Sequence, residues 1–203
     1  MKFHSMSVCV VMLLGAADGA RAAGPTVTAK EFQLFMDWKD GSEDPRLAKD
    51  NEATRVKKIA KSLGVSAADL KKAIDKVEPA FSSLKAETEA AIRAELDKTP
   101  IKKQLKSVEV NIDTAHAVAL VKWGCGDARD TDKEASWVAA AVAAGGSIVK
   151  TAALWCVNDG DTKLFSAKIG RDAFERIDLK SVDRFATSRY IKLFEDVKRG
   201  PHT

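Results

Sequence analysis

The chain has little of what active sites are usually made from. There are three histidines, one tyrosine and three cysteines in 203 residues, and aromatics make only 6% of the sequence. No G-x-S-x-G, H-E-x-x-H, P-loop or G-x-G-x-x-G pattern occurs, so the common nucleophile-elbow, zinc-protease, phosphate-loop and dinucleotide signatures are excluded. The cysteines have no C-x-x-C, haem-attachment or zinc-ligand spacing. Charge of neither sign dominates. The net +4 is too slight to imply nucleic acid or an anionic membrane by itself. Hydrophobic residues at 45% and charged residues at 31% describe an ordinary globular chain.

A long hydrophobic run is missing too, but a short one opens the sequence. Residues 1–24 read MKFHSMSVCVVMLLGAADGARAAG. Lys2 gives a short basic start, and the uncharged stretch Ser7–Ala17 falls far below the ~20 residues of a spanning helix. Ala20-Arg21-Ala22 has the small–x–small pattern of a leader cleavage site. This predicts a signal peptide over 1–22 and a periplasmic or secreted protein with no stable membrane span after processing. Cys9 lies within the run rather than at a cleavage junction, which argues against a lipid anchor on it. Removal of the leader leaves Cys125 and Cys156, and in an oxidising compartment an even pair predicts one disulfide.

The apolar period changes near residue 107, which divides the rest into a helical domain over 23–106 and an α+β domain over 107–203. Thr28 and Glu31 form a capping-box pattern ahead of Phe32, Phe35 and Met36. Asp44-Pro45 reads as the start of a second helix that Gly64 ends, and Ser66 as the cap of a third. Pro79 breaks the chain before a fourth helix, and Thr99-Pro100 begins a short turn. Four helices with short connections predict an N-terminal helical bundle.

Beyond 107 the alternation of Val108, Val110 and Ile112 with polar residues is that of a half-buried strand, and 116–123 reads as an interior strand. Thr131 and Glu134 suggest another capping box, opening a helix that Gly145-Gly146 ends. Strands over 148–157 and 164–169 flank the hairpin turn Asn158-Asp159-Gly160-Asp161. Helical patterns over 171–178 and 182–198 close the chain. The expected fold is therefore α+β: a helical bundle followed by a four-stranded mixed sheet, ββαββ plus a C-terminal helix, with one disulfide. A strand–helix–strand unit joins parallel neighbours, so Cys125 and Cys156 should meet at one rim of the sheet.

Two patches merit attention as sites. The first is acidic: Asp127, Asp130, Asp132 and Glu134 from one loop, and Asn158, Asp159 and Asp161 from another, share the rim with the cysteines. Oxygen ligands in that number suit a hard cation such as calcium, although no EF-hand spacing is present. Asp132 and Glu134 also suit the first turn of a helix, where carboxylates offset the dipole.

The second patch is basic. Residues 56–77 read VKKIAKSLGVSAADLKKAIDKV, with Ala60, Gly64 and Leu70 at small, turn and apolar positions, and the stretch resembles a helix-turn-helix motif. Arg55, Lys57, Lys58, Lys61, Lys71, Lys72 and Lys76 face only Asp69 and Asp75, a balance that favours phosphate contact. Yet Ser66, Ala67, Ala68 and Asp69 occupy the positions that should read base edges, and none is Arg, Asn or Gln.

Catalysis finds no constellation. His202 lies in a Pro-containing tail and His116 begins a strand, so no Ser/His/Asp or Cys/His set assembles around them. Paired carboxylates for glycoside hydrolysis would need a cleft with stacking aromatics, and Trp123 and Trp155 are expected to pack around the disulfide instead. The expected function is a non-enzymatic binding or structural protein of the cell envelope, partnered by another envelope protein or an acidic polymer. Nucleic-acid binding through 56–77 and a calcium-dependent binding module at the acidic rim are the alternatives.

Overall fold

A computed structural model describes residues 27–112, 116–125 and 130–202. The leader residues 1–22 lie outside that range, as does Asp127. The N-terminal part holds helices α1 (Ala29–Ser42), α2 (Glu52–Leu63), α3 (Ala67–Val77) and α4 (Phe81–Leu96). The C-terminal part runs β1 (Leu105–Ile112), β2 (Ala117–Gly124), α5 (Thr131–Gly145), β3 (Val149–Val157) and β4 (Lys163–Gly170). One-turn helices α6 (Arg171–Phe174) and α7 (Val182–Phe185) follow, and strand β5 (Glu195–His202) ends the fold.

Local chemistry explains the helix starts. The Thr28 hydroxyl accepts the Glu31 N–H while the Glu31 carboxylate accepts the Thr28 N–H, a complete capping box. Ser66 accepts the N–H of Asp69 in the same way at α3. Two expected starts move. Pro45–Leu47 forms only a 3₁₀ turn, because Asp44 holds both the backbone and the guanidinium of Arg46, and α2 begins later, where Asn51 caps it through Thr54. At α5 the cap is Asp130, which accepts the Lys133 N–H, not Thr131.

The sheet is mixed, with five strands in the order β1-β2-β3-β4-β5. Only β2 and β3 are parallel, as the crossover through α5 requires. The expected four strands and C-terminal helix are therefore corrected. The segment 182–198 makes one helical turn, a 3₁₀ turn at Tyr190–Leu193, and then an edge strand antiparallel to β4. Its apolar residues imitate a helical stripe because Tyr190 and Phe194 are buried from successive turns of an irregular chain. The Tyr190 hydroxyl lies 2.6 Å from Ser181 Oγ, which fixes that chain. An edge left at β4 would expose a row of backbone donors and acceptors, and β5, with Lys198, Arg199 and Pro201, covers it. The pattern over 171–178 likewise shortens to the single turn α6.

One face of the sheet is covered by helices. Val108, Val110, Ala119, Val121, Leu154 and Ile169 point into that layer and are fully or almost fully buried. Core residues of α1–α4 belong to the same continuous cluster. Helices α4 and α5 pack so closely that a Cβ on Gly145 would come within 2.6 Å of the Ala91 backbone. Gly145 is thus required by the approach of α4 as well as by its place at the end of α5.

Candidate functional site

The disulfide rim is built as connectivity requires. Trp123 of β2 lies beside Cys156 of β3, and Cys125 follows the end of β2. Cys125 and Cys156 are joined, with their Cα atoms 5.4 Å apart. Cys156 is wholly buried. Behind it sits Glu134, only 7% exposed. Its Oε2 accepts the Trp123 indole N–H at 2.9 Å and lies 3.9 Å from Cys156 Sγ. A buried indole donor needs an acceptor, and this need draws Glu134 inward from the acidic rim to which its sequence position assigns it.

Of the remaining acidic residues, Asp130, Asp132 and Asp161 have partners in the described structure. Asp130 caps α5, and Asp132 receives Arg199 at 2.6 Å. Asn158 accepts the N–H groups of Gly160 and Thr162 and shapes the hairpin turn. Asp161 adopts a left-handed φ of 57° and faces Lys106 at 3.6 Å, while Asp159 is exposed. Among the described residues no group of three or more His, Cys, Asp or Glu side chains converges as a metal-ligand set.

The basic segment folds as two helices with Gly64 at φ 68° between them, and Ala60 and Leu70 are buried in their crossing. Much of its charge is neutralised within the molecule. Lys58 pairs with Asp50 at 2.7 Å, Lys71 with both Asp75 and Glu52, and Lys76 with Glu31 at 2.7 Å. Arg55, Lys57, Lys61 and Lys72 have no ion pair among the described residues. The Ser66 hydroxyl and Asp69 carboxylate bond to each other at the start of α3, so the end that would approach DNA is closed by an acid.

Two features escaped the sequence reading. At the opposite end of the sheet from the disulfide, an open cleft of about 580 Å³ is lined by Lys30, Gln33, His116, Lys150, Asp172 and Glu195. Arg171 borders it, but its guanidinium donates to the carbonyls of Val149, Gly146 and Ser147 and pairs with Glu175. It ties the α5–β3 connection rather than offering free donors. The second feature is the face of the sheet that no described helix covers. Trp155 stands there, on the side opposite Trp123, because neighbouring residues of a strand alternate faces. The expectation that both tryptophans pack around the disulfide therefore holds for Trp123 alone. Counting parity from the cysteine would have separated them.

Fold and loci together define an α+β protein with a helical N-terminal region and a disulfide-closed rim on a mixed sheet. Comparison with family models, with curated proteins and with solved structures finds no match for the chain. No helix among the described residues is long and apolar enough to cross a membrane.

Proposed function

We propose that this chain is exported to the periplasm or the extracellular space. There it serves as a non-enzymatic binding or structural component of the cell envelope, with another envelope protein or an acidic polymer as its partner. The observation that carries this reading is the Cys125–Cys156 disulfide, set in the rim of the sheet behind a buried tryptophan and glutamate. Disulfides persist where the medium is oxidising, and the leader-like residues 1–22 supply the route there. Binding is favoured over catalysis because the polar groups best placed for chemistry already have structural duties: Glu134 on Trp123, Arg171 on three carbonyls and Asp132 on Arg199.

Cell fractionation with N-terminal sequencing tests the proposal. The expected product is a chain beginning at Ala23, recovered outside the cytoplasm, whose cysteines resist alkylation until reduced. An intact chain in the cytosol with both thiols open to alkylation would overturn it.

A further inference from the structure

The face of the sheet that no described helix covers carries a row of side chains that neither the core nor the disulfide uses. Strand register sets the row. Ser107 of β1 pairs with Lys122 of β2, Lys122 with Trp155 of β3, Trp155 with Ser166 of β4, and Ser166 with Lys198 of β5. Lys163, further along β4, brings its Nζ to 3.9 Å from the centre of the Trp155 ring, and Lys122 brings its own to 5.2 Å. With strands about 4.8 Å apart, the lysines of β2 and β5 are separated by roughly 14 Å across the sheet.

Two carboxylates adjoin this row. Glu109 pairs with Lys122 at 4.0 Å, and Asp196, in the same hollow as Lys198, pairs with Lys168 at 2.8 Å. Lys163 and Lys198 have no acidic partner within ion-pair distance among the described residues. Beside the row lie Val118, Leu120 and Ala153, apolar and only partly exposed. A concavity of about 310 Å³ opens on this face between Ala153, Trp155, Ser166 and Lys198, and the cations of the row stand on β2, β4 and β5. A polymer with a repeated anion and weakly polar faces complements that arrangement.

We infer that this face binds an acidic polysaccharide, with its carboxylates along Lys122, Lys163 and Lys198, the first two held in place by their contact with the Trp155 ring. The inference rests on the acidic-polymer partner proposed above and names the surface and the chemistry. A single-stranded nucleic acid fits less well. Such strands bind by stacking successive bases on aromatic side chains. This row has one aromatic, and two ammonium groups already lie against its ring.

The test uses the full mature chain and immobilised polygalacturonate at low ionic strength, with neutral dextran and an oligothymidylate strand as comparators. Two triple variants remove equal charge: Lys122→Gln with Lys163→Gln and Lys198→Gln on the sheet, and Lys57→Gln with Lys61→Gln and Lys72→Gln on α2 and α3. The sheet variant is expected to lose at least tenfold in polygalacturonate affinity, and the helix variant less than twofold. The single change Lys198→Glu, at an exposed position, should weaken binding severalfold and guards against a folding defect in the triple variant. Equal losses in both triple variants, no binding by the unaltered chain, or tighter binding of the oligothymidylate would each overturn the inference. Fractionation decides export and the variant pair decides the face, so either reading can fail without the other.

Discussion

The two parts of the molecule are held together by different kinds of contact. In α1–α3 each helix end is set locally, by caps at Thr28, Asn51 and Ser66 and a left-handed glycine at 64. The helices are joined only by side-chain contacts, among them the surface ion pairs Lys71–Glu52 and Lys76–Glu31. Phe32, Phe35 and Phe81 supply a small aromatic core, with ring centroids 5.2–6.4 Å apart. In the sheet part a covalent bond is added to the contacts between elements. Cys125 meets Cys156 across a separation of 31, Trp123 packs on Phe165, and Arg199 reaches back to Asp132. Helices joined by side-chain contacts can open region by region, whereas the disulfide ties the ends of β2 and β3 covalently.

The largest test of that contrast is removal of the disulfide. Closing a loop of this length stabilises by roughly 3–4 kcal/mol in the chain-entropy model. The double variant Cys125→Ala with Cys156→Ala should therefore melt about 10 °C lower. Hydrogen exchange should accelerate in β2, β3 and β4 first, with α1–α3 changing least. Uniform acceleration over the whole chain would show that the two parts unfold as one unit and would dissolve the contrast.

Gly145 probes the seam between them. A methyl group there meets the backbone of Ala91 and Ile92 at 2.6–2.7 Å, and backbone cannot rotate aside. Gly145→Ala should cost about 2 kcal/mol, within the range for overpacking, even though alanine is the better helix former. Urea denaturation checks this. An unchanged or raised midpoint would mean that α4 slides freely on α5.

The same division governs what could be read in advance. The caps at Thr28 and Ser66, the stop at Gly64 and the turn at Pro100 were legible because each is written within four residues. So was the meeting of Cys125 and Cys156, because a helix between two strands allows few connections. The Glu134–Trp123 pair was not legible, since an acid three residues into a helix looks the same whether it caps or turns inward. Strand β5 was hidden for a similar reason. Val197 follows Phe194 at helical spacing, and only the open edge of β4 determines that the chain extends there. For the candidate sites, the acidic loops were visible as composition, whereas the lysine row depends on register across five strands. No single stretch of sequence contains it.

The smallest effect belongs to the helical part and appears only in acid. Lys76 of α3 holds the Glu31 carboxylate of α1 at 2.7 Å, and this bond, aided by Thr28, lowers its pKa from 4.5 to about 2. The folded value lies below the unfolded one. The contribution is therefore complete above about pH 4.5 and fades as pH falls toward 2. Both side chains retain some solvent contact, so the pair is worth about 1 kcal/mol or less. Urea midpoints at pH 6 and pH 3 should fall further apart for the unaltered chain than for Lys76→Gln, because other carboxylates titrate alike in both. Since α1 and α3 are joined here by a surface pair and by core packing, acid should loosen their contact before it disturbs the sheet. If Lys76→Gln were as acid-sensitive as the parent, the ion pair would have no part in joining α1 to α3, and their apolar contact alone would account for the helical part's cohesion.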